Sequence, residues 1–137
     1  MNQTSQRRIL HTMLRISDMQ RSIQFYTEIL GMKVLRNFEQ PKDKYILTFL
    51  GYADESESTV LELTYNYGIS EYVLGNAYGH IAIGVNDIKQ VAANIKKQGG
   101  EFSLLPTQLK GSDETIAFLS DPDGYQIELI EVSTFHG

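Results

Sequence analysis

The chain contains no cysteine, which excludes disulfides, thiolate metal ligands and a cysteine nucleophile together. Any metal it binds must be held by nitrogen and oxygen. No stretch approaches the roughly 18 consecutive apolar residues of a membrane span. The polar start Met1-Asn2-Gln3-Thr4-Ser5-Gln6-Arg7-Arg8 also lacks the apolar segment of a signal peptide. The cytoplasm is therefore the expected location, with no membrane as a partner. An excess of positive charge is missing too: the net charge of −5 argues against nucleic acid or an anionic surface as the main partner, while leaving room for a local basic pocket. With 42% hydrophobic and 21% charged residues, neither a disordered nor a fibrous chain is the natural expectation. At 137 residues the length suits one domain, or two small modules sharing a core.

What is present is an internal repeat. His11-Thr-Met-Leu-Arg-Ile-Ser-Asp18 and His80-Ile-Ala-Ile-Gly-Val-Asn-Asp87 share a His, a β-branched residue five positions on and an Asp seven positions on. Ile9 to Ile16 alternates as a strand with His11, Met13 and Arg15 on one face. Ser17 or Asp18 can cap a helix whose Met19, Ile23, Tyr26 and Leu30 recur at helical spacing, and Gly31 suits its end. Strands are expected over Met32 to Phe38, Tyr45 to Tyr52 and Thr59 to Tyr65, with the acidic run Asp54-Glu55-Ser56-Glu57-Ser58 as a solvated turn.

After a connection from Tyr67 to Tyr78 the order begins again. A strand over His80 to Val85 precedes a helix from Ile88 to Gln98 capped by Asp87 and stopped by Gly99-Gly100. A short strand over Glu101 to Leu105, a polar loop over Pro106 to Glu114, and strands over Thr115 to Leu119 and Tyr125 to Val132 complete it. Ser120-Asp121-Pro122-Asp123-Gly124 joins the last two strands as a turn. Each half thus reads as strand, helix and three strands, an α+β pattern, and a repeat of this length outranks any single-segment assignment. The distance from His to the helix-stopping glycine is 20 residues in both halves.

The last strand of each half carries one carboxylate among apolar neighbours, Glu62 in Val60-Leu61-Glu62-Leu63 and Glu128 in Gln126-Ile127-Glu128-Leu129. An ionised carboxylate buried without a partner is costly, so each should face water or a cation. A lone His at a strand start, or a lone Glu in a strand, is more often structural or solvated. The repetition changes those odds: His11, Glu62, His80 and Glu128 form a candidate two-nitrogen, two-oxygen site suited to Zn or another first-row divalent ion.

Together these residues resemble a known family. His11-Thr-Met-Leu-Arg15, Phe25-Tyr26, Leu30-Gly31-Met32, Leu61-Glu62-Leu63-Thr64-Tyr65-Asn66, Gly79-His80-Ile81 and Asp121-Pro122-Asp123-Gly124-Tyr125 to Glu128 are similar to glyoxalase I, lactoylglutathione lyase, in its short bacterial-type form. The Asp-Pro-Asp-Gly turn with paired modules would indicate only the wider vicinal-oxygen-chelate superfamily. The four ligands with Arg15 and Asn66 are more specific.

The resemblance implies two tandem βαβββ modules, 9–68 and 78–132, in a single glyoxalase domain over 9–132, with an arm over 1–8 and a tail over 133–137 that contains His136. The modules would form half-barrels completed in a homodimer. Each metal would take His11 and Glu62 from one chain and His80 and Glu128 from the other, with Ni²⁺ expected and Co²⁺ or Zn²⁺ as alternatives. The implied reaction is that of a carbon–sulfur lyase: the methylglyoxal–glutathione hemithioacetal is isomerised to S-lactoylglutathione through an enediolate, with glutathione as cosubstrate, in methylglyoxal detoxification. Glu128 would be the principal base, and Glu62 a metal ligand and proton partner. Arg15 and Asn66 would bind glutathione, and Lys110, in the loop before the last hairpin, is a further expected substrate contact. The competing readings are another activity of the superfamily, a thiol transferase or an iron-dependent dioxygenase, and a non-catalytic small-molecule-binding protein. A dioxygenase of this superfamily uses two His and one carboxylate, and a binding protein needs no fourth ligand, so Glu62 speaks against both.

Overall fold

The computed structural model of the protein describes residues 6–133. The chain divides into two compact units, one ending at Tyr72 and the other beginning at Val73. In the first unit, β1 (His11–Arg15) leads into α1 (Met19–Gln24), and then β2 (Lys33–Gln40), β3 (Tyr45–Gly51) and β4 (Val60–Asn66) follow. The second repeats the order with β5 (His80–Val85), α2 (Ile88–Lys97), β6 (Phe102–Gln108), β7 (Thr115–Ser120) and β8 (Gln126–Glu131). Each unit forms one four-stranded sheet, ordered β1-β4-β3-β2 in the first and β5-β8-β7-β6 in the second. The last strand of each βαβββ run therefore lies beside the first, in parallel, and the other pairings are antiparallel. The α+β architecture expected from the repeat is the one observed. His136 lies outside the described residues, as do residues 1–5 of the arm and most of the tail.

The helices start as the repeat implies. Asp18 and Asp87 are both N-caps in extended backbone, and each carboxylate accepts the amide three residues on, Arg21 N at 3.0 Å and Gln90 N at 3.1 Å. Their continuations differ. α2 is regular and buries Ile88, Ala92 and Ile95 along one stripe against its sheet. α1 widens into a π-helical turn over Phe25–Ile29, closed by Leu30 N donating to Phe25 O at 3.1 Å. The wider turn lets the adjacent Phe25 and Tyr26 both enter the core, where their rings meet edge to face at 5.1 Å. Gly31 then reverses the chain with φ 77°, a conformation costly for any residue with a Cβ.

Each sheet is covered by its own helix. In the first unit Leu14, Ile16, Leu50, Leu61 and Leu63 are buried with Tyr26 and Leu30, and in the second Ile116, Leu119, Ile127 and Leu129 are buried with Ile88 and Ile95. Because side chains alternate along a strand, the residues between these, Glu62 and Glu128 among them, point to the other sheet face.

Strand ends differ from the sequence expectation by one or two residues in several places, and by more at β6. β6 runs to Gln108, through Pro106, which the sequence places in a loop. Two features allow this: β6 is an edge strand, and its register to β7 shifts between Leu104 and Thr107, so the missing amide of Pro106 breaks no ladder.

Candidate metal centre

The parallel pairing of first and last strands builds the site. In the first unit His11 is opposite Val60, so Glu62 is its diagonal neighbour two residues along the same face. In the second, His80 is opposite Gln126, and Glu128 occupies the same diagonal position. Both diagonals close. His11 Nε2 lies 3.1 Å from Glu62 Oε1, and His80 Nε2 lies 3.0 Å from Glu128 Oε1.

The surroundings match as well. Phe49 of β3 is opposite Glu62, and Phe118 of β7 is opposite Glu128. Each meets the neighbouring imidazole edge to face, at 5.5 Å for His11–Phe49 and 5.2 Å for His80–Phe118. The imidazoles are 40% and 41% exposed while both carboxylates are 13% exposed. Each unit thus presents an open nitrogen beside a sheltered carboxylate backed by an aromatic wall.

These pairs fit a divalent ion. Two ligand atoms bound at right angles, each about 2.1 Å from one cation, lie about 3.0 Å apart. Imidazole nitrogen with carboxylate oxygen suits first-row divalent ions, and the expected octahedral set leaves further positions open. Among the described residues no third His, Asp or Glu joins either pair. Each unit therefore offers two of the four expected ligands.

The two half-sites differ in what surrounds the Glu. Thr64 Oγ1 donates to Glu62 Oε2 at 3.0 Å, whereas the residue two positions beyond Glu128 is Ile130. In the first unit Arg36 of β2 is opposite Phe49 and holds its guanidinium 3.8 Å from the ring centroid. Glu55 accepts from Arg36 Nε at 2.7 Å and from Nη2 at 3.1 Å. That pairing, helped by the charge of Glu62, pushes the Arg36 pKa above its usual value. In the second unit the residue opposite Phe118 is Leu104.

Of the other expected residues, Arg15 and Asn66 repeat the ligand diagonal. Arg15 is opposite Thr64, so Asn66 stands to it as Glu62 stands to His11. The separation from the metal-ligand pair is four residues, about 13 Å along the strands. Asn66 Nδ2 donates to the Tyr72 hydroxyl at 3.1 Å. Lys110 lies in an exposed turn closed by Ser112 N donating to Leu109 O at 3.0 Å, and it makes no hydrogen bond or ion pair among the described residues. Sequence reasoning missed Phe49, Phe118, Thr64 and Arg36. The repeat contained a signal for the first two, since each Phe follows its His by 38 positions. Thr64 carried one as well, since strand period puts it on the Glu62 face two residues on, whereas Arg36 carried none because it does not recur in the second half.

Two βαβββ units of the same topology, each with a His–Glu pair on the same diagonal of its sheet, define the class of fold, and a family model matches residues 8–129. The chain belongs to the Glyoxalase/Bleomycin resistance protein/Dioxygenase superfamily. Within it, the chain is 54% identical over 132 residues to the probable lactoylglutathione lyase of Vibrio cholerae, covering 96% of both chains. It is 53% identical over 124 residues to the lactoylglutathione lyase of Salmonella typhimurium, covering 90% of this chain and 92% of that one. Among solved structures, glyoxalase I of Zea mays superposes with a TM-score of 0.90 at 44% identity, over 93% of this chain. This chain spans only 45% of the maize chain. The trypanothione-dependent glyoxalase I of Leishmania major gives a TM-score of 0.82 at 54% identity, over 92% of this chain and 87% of that one.

Proposed function

We propose that this chain is a lactoylglutathione lyase that isomerises the methylglyoxal–glutathione hemithioacetal to S-lactoylglutathione. The observation that carries the reading is the duplicated His–Glu diagonal, 3.1 Å and 3.0 Å across, on two sheets of the same topology. With two ligands per unit, the reading is completed by a homodimer in which His11 and Glu62 share an ion with His80 and Glu128 of the partner subunit. Ni²⁺ is the proposed ion, with Co²⁺ and Zn²⁺ as alternatives. When bound it supplies stabilisation for negative charge developing on the substrate oxygens.

The chain's own groups handle the proton and the thiol. Glu128 is the base: its carboxylate takes the proton from the carbon beside the carbonyl, giving the enediolate, and returns it to the neighbouring carbon. Glu62 serves as ligand and proton partner. Its Oε2 accepts from Thr64, whereas the corresponding neighbour of Glu128 is Ile130, which has no hydroxyl. This difference supports assigning proton transfer chiefly to Glu128. Arg15 and Asn66 hold the glutathione peptide, so that remote binding energy orients the reacting carbon. Lys110, in its exposed turn, is a further proposed substrate contact. Glutathione rather than another thiol is proposed on the strength of Arg15 and Asn66, since relatives of similar identity differ in the thiol their names carry. The cytoplasm, where glutathione is kept reduced, is the proposed location. No helix among the described residues is long and apolar enough to cross a membrane.

The test is an absorbance assay for thioester formation from methylglyoxal and glutathione. Turnover should disappear on chelation and return with Ni²⁺ or Co²⁺. No thioester under any divalent ion would remove the lyase assignment.

A further inference from the structure

The two half-sites share the imidazole, the carboxylate and the aromatic wall, yet among the described residues only the first wall is backed by an ion pair. Glu55 sits in a turn built to present it. Asp54 Oδ1 accepts from Ser56 N at 2.8 Å, Ser58 N donates to Asp54 O at 2.9 Å, and the Arg8 guanidinium donates to the Glu55 carbonyl. That fixed carboxylate grips Arg36 through two N–H groups, the fork geometry in which Arg is most strongly oriented. The guanidinium then lies over Phe49 with Cζ 3.8 Å from the ring centroid, and Phe49 in turn meets His11. The acidic run over 54–58 is thus part of the supporting shell of the first His, as well as a solvated turn. In the second unit the residue opposite Phe118 is Leu104, which carries no charge.

We propose that Arg36, gripped by Glu55, is a positioning residue that clamps Phe49 against His11 and so sets the metal affinity of the first half-site, an inference that rests on His11 being a metal ligand. Outer partners that orient a ligating His commonly change metal affinity by about 10–100-fold. Glu55 has a second role in the same clamp. It neutralises the guanidinium, so a cation stacked beside the site does not repel the metal.

The clean variant is the double substitution Arg36→Met with Glu55→Gln, which removes the clamp without changing the local net charge. It is made in the full-length chain, stripped of metal with chelator and titrated with Ni²⁺ by calorimetry. The ring-proton NMR resonances of His11 and His80 are compared in the metal-free protein before titration, with His80 as the internal measure that the fold is intact. The expected result is a loss of Ni²⁺ affinity of roughly tenfold and a shift of the His11 resonances with those of His80 in place. Turnover should recover at saturating Ni²⁺, because the pair acts through His11 and touches no substrate. Glu55→Gln alone should weaken Ni²⁺ binding too, by leaving Arg36 uncompensated. Unchanged Ni²⁺ affinity with an unmoved His11 signal overturns the clamp, as does turnover that stays low at saturating Ni²⁺. If the native chain takes up no Ni²⁺, the metal reading itself has failed, and the His11 resonances alone decide whether the clamp exists.

Discussion

Glu62 and Glu128 occupy equivalent positions, but their second oxygens do not. Glu62 Oε2 accepts from the Thr64 hydroxyl at 3.0 Å, and the matching position beyond Glu128 is the aliphatic Ile130. A carboxylate with an oxygen not committed to a hydroxyl is the better placed to take a proton from carbon, so Glu128→Gln should lower kcat by about 10²-fold or more. KM for the hemithioacetal should change little, since Gln keeps the volume and Arg15 and Asn66 are untouched. Steady-state kinetics on the reconstituted enzyme would measure both, and near-normal kcat would remove Glu128 as the base. A second residue-scale expectation concerns Tyr52, whose hydroxyl donates to Leu30 O at 2.6 Å at the end of the first helix. Although the residue is half exposed, desolvation around its part-buried hydroxyl pushes its pKa from 10.0 up to about 12. The phenol therefore ionises more readily in the unfolded chain. The stability it contributes is complete below about pH 10 and is lost as pH rises towards 12. A melting curve measured across that window should fall more steeply for the native chain than for Tyr52→Phe, which should itself cost about 1 kcal/mol at neutral pH.

At the scale of elements, the hairpin that delivers β8 to the site depends on one side chain. Asp121 is buried, and its Oδ1 accepts from Asp123 N at 3.0 Å and Tyr125 N at 2.8 Å, while Gly124 takes φ 95° to complete the turn. Replacing Asp121 by Ala strands two inward-facing amides and should destabilise the fold by about 2–3 kcal/mol, read as a lower denaturant midpoint at constant slope. The existence of every strand and helix follows from period and punctuation in the sequence. Their ends follow less well. Pro106 reads as a loop residue because proline removes an amide, and only its place on an edge strand with shifted register makes it compatible with β6. The π-helical turn over Phe25–Ile29 has a similar origin: two adjacent aromatics seek one core, and the backbone widens to admit both.

At the scale of the whole molecule, each unit holds one His–Glu pair, so the proposed four-ligand centre requires a first unit and a second unit together. In the proposed dimer those units belong to different chains. Mixing inactive His11→Ala dimers with inactive His80→Ala dimers should then restore activity as subunits exchange. One of the two sites in each hybrid has all four ligands and the other has lost both His, so turnover should approach about half the native value per hybrid dimer. Mixed dimers that stay inactive after exchange, verified by mass spectrometry, would show that each chain completes its own site.

The sequence alone determined the repeat, the two βαβββ runs and the places of the candidate residues His11, Glu62, His80 and Glu128 within them, because side-chain period and covalent spacing are written in the order of residues. The diagonal that joins each His to its Glu was decided by tertiary structure. Registers between strands about 50 residues apart depend on how the whole sheet packs its helix. So were the differences between the halves. Strand period puts Thr64 on the Glu62 face, but Arg36 over Phe49 in the grip of Glu55 arises from neighbours across strands and turns that no periodicity encodes.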